Sequence, residues 1–195
     1  MNKLESLKTS VIESASKRAF KHHDWYIDSH MLIVEKIAGE LLSSYPEADR
    51  ELVMVLVWLH DYGKILSFED DKSATLREGR VKLEELGYTS KFVDKAIDYA
   101  SIIDRKLELD LVDAPIEVRI VSSADGCSHL AGPFMAIYLR DYANKPLNEL
   151  LTDNLNKAAK DWSRKIVLPE ARKAFESRYI IAMEQAGKLP EQYLV

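Results

Sequence analysis

The sequence predicts an all-α fold, and three observations support this prediction. The chain contains only 7 Gly and 6 Pro in 195 residues, which favours long uninterrupted elements over a loop-rich scaffold. Apolar residues recur at helical spacing along most of the chain, and start and stop signals flank several of these segments. We predict a single domain over residues 1–195, because this length suits one large domain or one domain with a helical appendage.

The first two predicted helices bring a histidine to an inward face. Apolar residues at helical spacing predict a first helix over about residues 3–21. Asp24 or Asp28 can cap a second helix, which continues to about Leu41. In this helix His30 shares a stripe with apolar side chains at i+3, i+4, i+7 and i+11, so the imidazole is expected to face the core.

The third segment is apolar on every side and ends in the adjacent pair His60 and Asp61. Periodicity alone also allows a buried strand, because valines alternate over residues 52–59. Ser44 as a cap, an early proline and three acidic residues near the start favour a helix, and Gly63 is expected to stop it. We therefore predict a central helix that is covered all round.

The later segments are amphipathic, and one of them carries Asp125. Asp125 follows Val121 by four residues and Val118 by seven, so it too faces inward. Gly132-Pro133 is expected to break the chain. After an acidic, exposed segment at 67–73, helices are predicted over about 74–87 (closed by Gly87), 89–104, from Pro115 onwards, 146–164 and 169–186.

Four of these residues form a candidate metal site. Imidazoles and carboxylates that are drawn into an apolar interior need a partner, and a metal ion satisfies both. Adjacent helical residues diverge by about 100°, so a cation touches both His60 and Asp61 only near a helix end. Two imidazoles and two carboxylates suit Mn, Mg, Ni, Fe or Zn with coordination positions left for water. Taken singly, His30, Asp61 and Asp125 each have a structural explanation, as a core histidine, a helix-end carboxylate and a turn cap.

The spacing of His30, His60-Asp61 and Asp125 resembles the HD-domain superfamily of metal-dependent phosphohydrolases. Residues 59–64, Leu-His-Asp-Tyr-Gly-Lys, resemble the helix-end motif of that family, and residues 123–129 resemble its closing Asp motif. The resemblance covers a core of about residues 15–140, which leaves residues 141–195 as a helical C-terminal extension that packs on the core.

The resemblance implies an all-α helical bundle around a metal, with His30, His60, Asp61 and Asp125 as the ligands. Some members hold a second metal through extra histidines, but no histidine occurs here between residues 61 and 128. Tyr99 and Asp104 lie roughly where such ligands would be sought. We therefore expect one divalent metal ion. His129, four residues after Asp125, could support a ligand or be an alternative ligand, and a supporting role or a plain surface position is favoured.

We expect a phosphohydrolase that acts on a small phosphorylated compound, and a nucleotide is the favoured class. Asp61 would be catalytic by orienting or deprotonating water. Lys64 would be catalytic and substrate-binding by neutralising phosphate charge. A structural role explains Lys64 equally well, because a cation is favoured at the negative C-terminal end of a helix. Arg18, in a basic cluster at 17–23, is a second candidate for substrate binding, although a solvated face explains this cluster better.

Other features limit the partners and leave alternatives open. Glu69 and Asp70 are candidates for a general base. The net charge of −5 argues against a duplex nucleic-acid partner, no apolar stretch suits a membrane span, and the single Cys127 favours a cytoplasmic location. A homo-oligomer is left open. The alternatives are a module that senses a nucleotide without hydrolysing it, and a purely structural helical protein.

Overall fold

The computed structural model describes residues 2–66 and 71–194, with only the backbone described for residues 71 and 72. It confirms the all-α prediction, because the regular elements of the described residues are all helical. Glu69 and Asp70, predicted as general-base candidates, lie outside the described residues, as does most of the predicted acidic segment. The helices are α1 (Lys3–Ala15), a π-helical turn (Ile27–Met31), α2 (Leu32–Leu41), α3 (Arg50–Leu59), α4 (Tyr62–Leu66), α5 (Asp71–Glu85), α6 (Ser90–Asp104), α7 (Ile116–Ser128), α8 (Phe134–Asp141), α9 (Leu147–Lys160), a second π-helical turn (Asp161–Lys165) and α10 (Pro169–Gln185).

Helix α3 is the central helix, as predicted. All of its residues from Leu52 to Leu59 are buried, because α1, α2, α6 and α7 surround it. A helix that is apolar on every side requires such a position, since any face left to water would expose large aliphatic side chains. The central helix delivers the His60-Asp61 pair, which follows it directly, to the interior.

Several predicted boundaries are wrong, and each has a local cause. Helix α1 ends at Ala15 instead of residue 21, and the chain then turns so that Phe20 and His22 become buried. Helix α3 is capped by Asp49, whose Oδ1 accepts from the Leu52 N–H at 3.1 Å, so the predicted cap is five residues too early. Neither predicted aspartate caps the second helix, which begins in the π-helical turn after Tyr26.

The region around Gly63 also differs from the prediction. Gly63 does not end a helix but lies buried inside α4, where its N–H donates to the Thr75 hydroxyl of α5 at 2.8 Å. Because α4 and α5 contact each other, this hydrogen bond joins the helix after the His60-Asp61 pair to the next layer of the fold.

The C-terminal helices follow the predicted order with one addition. Gly132 has a φ of +56°, which fits the predicted chain break, but the eight-residue helix α8 after it was not predicted. Helices α9 and α10 lie close to their predicted ranges, and the second π-helical turn and α10 contact α7. No helix within the described ranges is long and apolar enough to cross a bilayer.

Candidate metal centre

Three buried side chains from different elements converge at one point. His30 lies in the first π-helical turn, His60 follows α3 and Asp125 lies near the end of α7. One potential ligand atom from each lies within 4.8 Å of those of the other two. The Oδ2 atom of Asp61 lies 3.8 Å from His30 Nε2 and 3.7 Å from His60 Nε2. The structure therefore brings all four predicted ligands together.

Hydrogen bonds at Nδ1 set the tautomers of the two histidines. His60 Nδ1 donates to the Val57 carbonyl at 2.7 Å. The Ser128 hydroxyl donates to the Asp125 carbonyl at 2.7 Å, so its oxygen accepts from His30 Nδ1 at 3.0 Å. With the protons at Nδ1, both Nε2 atoms carry a lone pair and face the carboxylates, which is the arrangement of metal-binding imidazoles.

The first π-helical turn helps to aim His30. A π-helical turn contains one residue more per turn than an α-helix, so it rotates the side chains before it relative to those after it. Here it covers Ile27–Met31 and leads directly into α2. His30 and Met31 are both buried within this turn. The imidazole thus faces the ligand cluster, while α2 continues along the core.

Each carboxylate of the site is held by cations. Lys64 Nζ lies 2.9 Å from Asp61 Oδ2, and the Tyr26 hydroxyl donates to the same oxygen at 2.7 Å. Lys106 and Lys165 lie 2.7 and 3.1 Å from Asp125 Oδ2. Burial alone raises the pKa of the Asp61 carboxyl, but Lys64 and the other nearby cations outweigh this and keep it well below its usual range. The same balance, with Lys106 and Lys165 as the main cations, keeps the pKa of Asp125 low.

The residues fit a divalent cation. Burial lowers the pKa of both imidazoles below the usual value, so they are neutral, whereas both carboxylates are ionised. The Nε2 atom of His60 is buried and has no hydrogen-bond partner among the described residues. A buried polar atom without a partner is costly, and a metal ligated by His30, His60, Asp61 and Asp125 would satisfy it.

The HD-domain family model matches residues 27–130, which contain all four of these residues. The chain belongs to the HD-domain family. HD domains bind divalent metals, and the family is generally one of metal-dependent phosphohydrolases. Neither a curated protein nor a solved structure matches this chain.

The metal centre of this HD domain opens into a cavity of about 340 Å³. Four lysines line the cavity, namely Lys64, Lys106, Lys157 and Lys165. Aromatic side chains from the segment just before the first π-helical turn and from α8 and its C-terminal end also line the cavity. These aromatic residues are Trp25, Tyr26, Phe134, Tyr138 and Tyr142.

The other predicted site residues have different positions in this HD domain. Lys64 lines the cavity, next to Asp61. Arg18 is exposed and is not among the residues that line the cavity. The structure does not bring Arg18 to the site, and its role in substrate binding remains a prediction. Of the two residues considered for a second metal, Asp104 lines the cavity and Tyr99 does not. Among the described residues, the group of side chains that could hold a metal is that of His30, His60 and Asp125.

His129 lies against the metal centre. Its Nδ1 donates to Asp161 Oδ2 at 2.8 Å, and its Nε2 lies 3.4 Å from Asp125 Oδ1. Its ring stacks on that of His30, with centroids 5.2 Å apart. Burial, followed by the nearby Lys157, lowers the pKa of His129 to about 4. The imidazole is therefore a neutral support between a ligand and the C-terminal segment.

Sequence reasoning missed the charged residues of the C-terminal segment. Lys157, Asp161 and Lys165 follow one another at intervals of four residues, so they share one helical face. That pattern was the available signal, but it is also typical of solvent-exposed helices. Here Asp161 and Lys165 are buried, because the face is turned towards Asp125.

Proposed function

We propose that this HD domain hydrolyses a phosphate ester or anhydride of a small molecule, and that the substrate is a nucleotide. One observation carries the proposal: the ligand cluster opens into a cavity that combines ammonium groups with aromatic rings. Phosphate oxygens suit the first of these surfaces and a planar base suits the second. A metal ion bound there would activate water and offset negative charge at phosphorus.

In this proposal Asp61 and Lys64 act on the phosphate. The Tyr26 hydroxyl and the Lys64 ammonium fix Asp61 Oδ2 in position. Burial raises the pKa of Tyr26 well above its usual value, so the phenol stays a hydrogen-bond donor. An ionised carboxylate held in this way can accept a hydrogen bond from a water molecule and orient it. Lys64 can neutralise charge that builds up on the phosphate oxygens.

The aromatic side chains that line the cavity favour a nucleotide over a smaller phosphate ester as the substrate. The rings of Phe134 and Tyr138 stand 6.2 Å apart with an angle of 14° between them, and Tyr142 follows at 4.8 Å from Tyr138. Trp25 meets Phe134 edge to face at 5.7 Å. A row of rings that borders a cavity of this size offers a stacking surface for a base.

The size of the cavity and the net charge of the chain support a small molecule as the partner. The cavity is a pocket of small-molecule size, and the net charge of −5 lacks the basic excess expected of a duplex nucleic-acid partner. We therefore propose a free small phosphorylated compound as the substrate, within the cytoplasm.

The test is a hydrolysis assay with the Mn-loaded or Ni-loaded protein on phosphomonoesters, nucleoside triphosphates and cyclic nucleotides. The expected result is metal-dependent release of phosphate or pyrophosphate from at least one nucleotide. Asp61→Ala should abolish this release while circular dichroism shows the same helix content.

Equal activity in Asp61→Ala, or no release from any compound, would contradict the proposal. A nucleotide that raises the melting temperature without any phosphate release would instead indicate the sensing module.

A further inference from the structure

A second cavity adjoins the metal cavity on the side of the C-terminal segment. It also measures about 340 Å³. Four residues line both cavities, so the two share a wall. These shared residues are Leu107, Tyr138, Lys157 and Lys165. A ligand in the metal cavity therefore meets the second cavity where these two lysines stand.

Buried carboxylates and lysines meet at this boundary. The buried carboxylates Asp125 and Asp161 face three ammonium groups, those of Lys106, Lys157 and Lys165. Lys165 bridges the two carboxylates, at 3.1 Å from Asp125 Oδ2 and 2.9 Å from Asp161 Oδ1. A metal that engaged Asp125 would therefore compete with Lys106 and Lys165 for the negative charge of that carboxylate.

Lys157 is the least neutralised of these cations. Its nearest carboxylate oxygen, Asp161 Oδ2, is 3.5 Å away and already accepts from His129 at 2.8 Å. Its Nζ also lies over aromatic rings, 5.4 Å from the centroid of Phe134 and 5.5 Å from that of Tyr138. Burial lowers the pKa of Lys157 to about 8, which agrees with this shortage of anionic partners.

The far side of the second cavity adds further positive charge. Lys160 lines it, one helical turn after Lys157. Asp153 also lines it, but this carboxylate is 2.7 Å from the Lys145 ammonium and so is already paired. An anion that lies between the two cavities would therefore meet Lys157 first and Lys160 behind it.

We propose that Lys157, with Lys160 behind it, binds a second phosphate group of the substrate. The substrate then carries one phosphate at the metal centre and another next to it, as a nucleoside diphosphate does. This inference rests on the proposed function, which places the first phosphate at the metal. Both lysines lie outside residues 27–130, so the family match does not supply this subsite.

The test compares two adenine nucleotides that differ by one phosphate. The Mn-loaded protein of residues 1–195 is titrated by calorimetry with adenosine 5′-monophosphate and with its non-hydrolysable α,β-methylene diphosphate homologue. We expect the diphosphate to bind at least about tenfold more tightly, as one charge-assisted contact would provide.

Variants assign this difference to Lys157. Lys157→Met keeps the aliphatic stem on the rings and should remove the tenfold preference, because it weakens binding of the diphosphate about tenfold more than binding of the monophosphate. Lys157→Arg should keep the preference. The matched control is Lys173→Met, since Lys173 is exposed on α10 and lies outside both cavities. Thermal melts of each variant show whether the fold is retained.

Three results would overturn the inference: equal binding of the two nucleotides by the unaltered protein, an unchanged preference in Lys157→Met, or equal weakening of both nucleotides by that variant. These are distinct from failure of the proposed function. A protein that hydrolyses nucleotides without the preference contradicts only the subsite, whereas one that shows the preference without any hydrolysis contradicts only the enzymatic proposal.

Discussion

The two walls of the metal cavity are built in different ways. The ligand wall comes from residues 27–130, where imidazoles and carboxylates stand at the ends or on the inward stripes of apolar helices. The C-terminal wall, from Phe134 to Lys165, consists of aromatic rings from α8 and its C-terminal end and of lysines from α9 and the second π-helical turn. Burial of apolar surface positions the first wall. Ion pairs with the first wall position much of the second wall. Substitutions in the two walls should therefore affect metal binding and stability in different ways.

The largest expected effect is the loss of a metal ligand. His60→Gln removes a buried Nε2 that has no hydrogen-bond partner among the described residues, so the metal affinity should fall more than about a hundredfold. Phosphate release should be lost with it, and circular dichroism should be unchanged. Elemental analysis after dialysis measures the bound metal. The control is Lys157→Met on the other wall, which should retain its metal. A His60→Gln protein that retained its metal would contradict the assignment of His60 as a ligand.

The second-largest effect is expected from breaking the ion pairs that join the two walls. Lys165 is 6 % exposed and bridges Asp125 and Asp161. Lys165→Met leaves two buried carboxylates short of a cation, which should lower the free energy of unfolding by about 3 kcal/mol. Urea denaturation measures this change in the free energy of unfolding. Lys173→Met, on the exposed side of α10, should change this energy by less than about 0.5 kcal/mol, and equal effects would show that the bridge is not structural.

A smaller effect tests the close approach of the two walls. A Cβ at Gly126 would lie 2.7 Å from Ile166 Cγ1 and 3.0 Å from Lys165 Cβ. Gly126→Ala should therefore destabilise the protein by about 1–3 kcal/mol. Gly39→Ala is the matched helix variant, where the nearest atom, Met54 Cε, is 3.7 Å away, and it should stabilise by about 0.5–1 kcal/mol. Thermal melts of both compare the sites, and similar melting temperatures would contradict the tight junction.

The smallest effect concerns pH at the boundary of the cavities. The groups that act on Lys157 are Asp161, Lys165, Asp125 and Lys64. Its pKa is lowered to about 8, so the ammonium loses its proton as the pH rises through that value. The preference for the methylene diphosphate should fall severalfold between pH 7 and pH 9. Lys157→Arg should keep the preference over this range, since a guanidinium stays charged, and a pH-independent preference in the unaltered protein would exclude Lys157 as its source.

The ligand wall could be predicted from the sequence because its signals are local. An apolar run followed by His60 and Asp61 allows few explanations, and the spacing to His30 and Asp125 completes the pattern. The end of α1 could not be predicted, because helical spacing continues in the sequence past Ala15, although the chain turns there. Continued spacing shows that a helix is allowed, not that the chain stays helical: Phe20 is buried by the turn after α1 instead.

The C-terminal wall could not be predicted because its burial depends on distant contacts. Lys165 and Asp161 have the sequence signature of a solvated helix, and they are buried only where they meet Asp125 of α7. Arg18 shows the reverse: it lies in a basic cluster that suggested phosphate binding, yet it is exposed. The sign of a charge is visible in a sequence, whereas the element that it faces is not.

The bridge made by Lys165 has a consequence for how the chain can be divided. A fragment trimmed to residues 27–130 would contain every metal ligand but would lack the ammonium that joins Asp125 to Asp161. It would also lose Ile166, which lies over the backbone at Gly126. The family match is thus shorter than the part of the chain that packs around Asp125 and Gly126, and a fragment that keeps both contacts has to extend at least to Ile166.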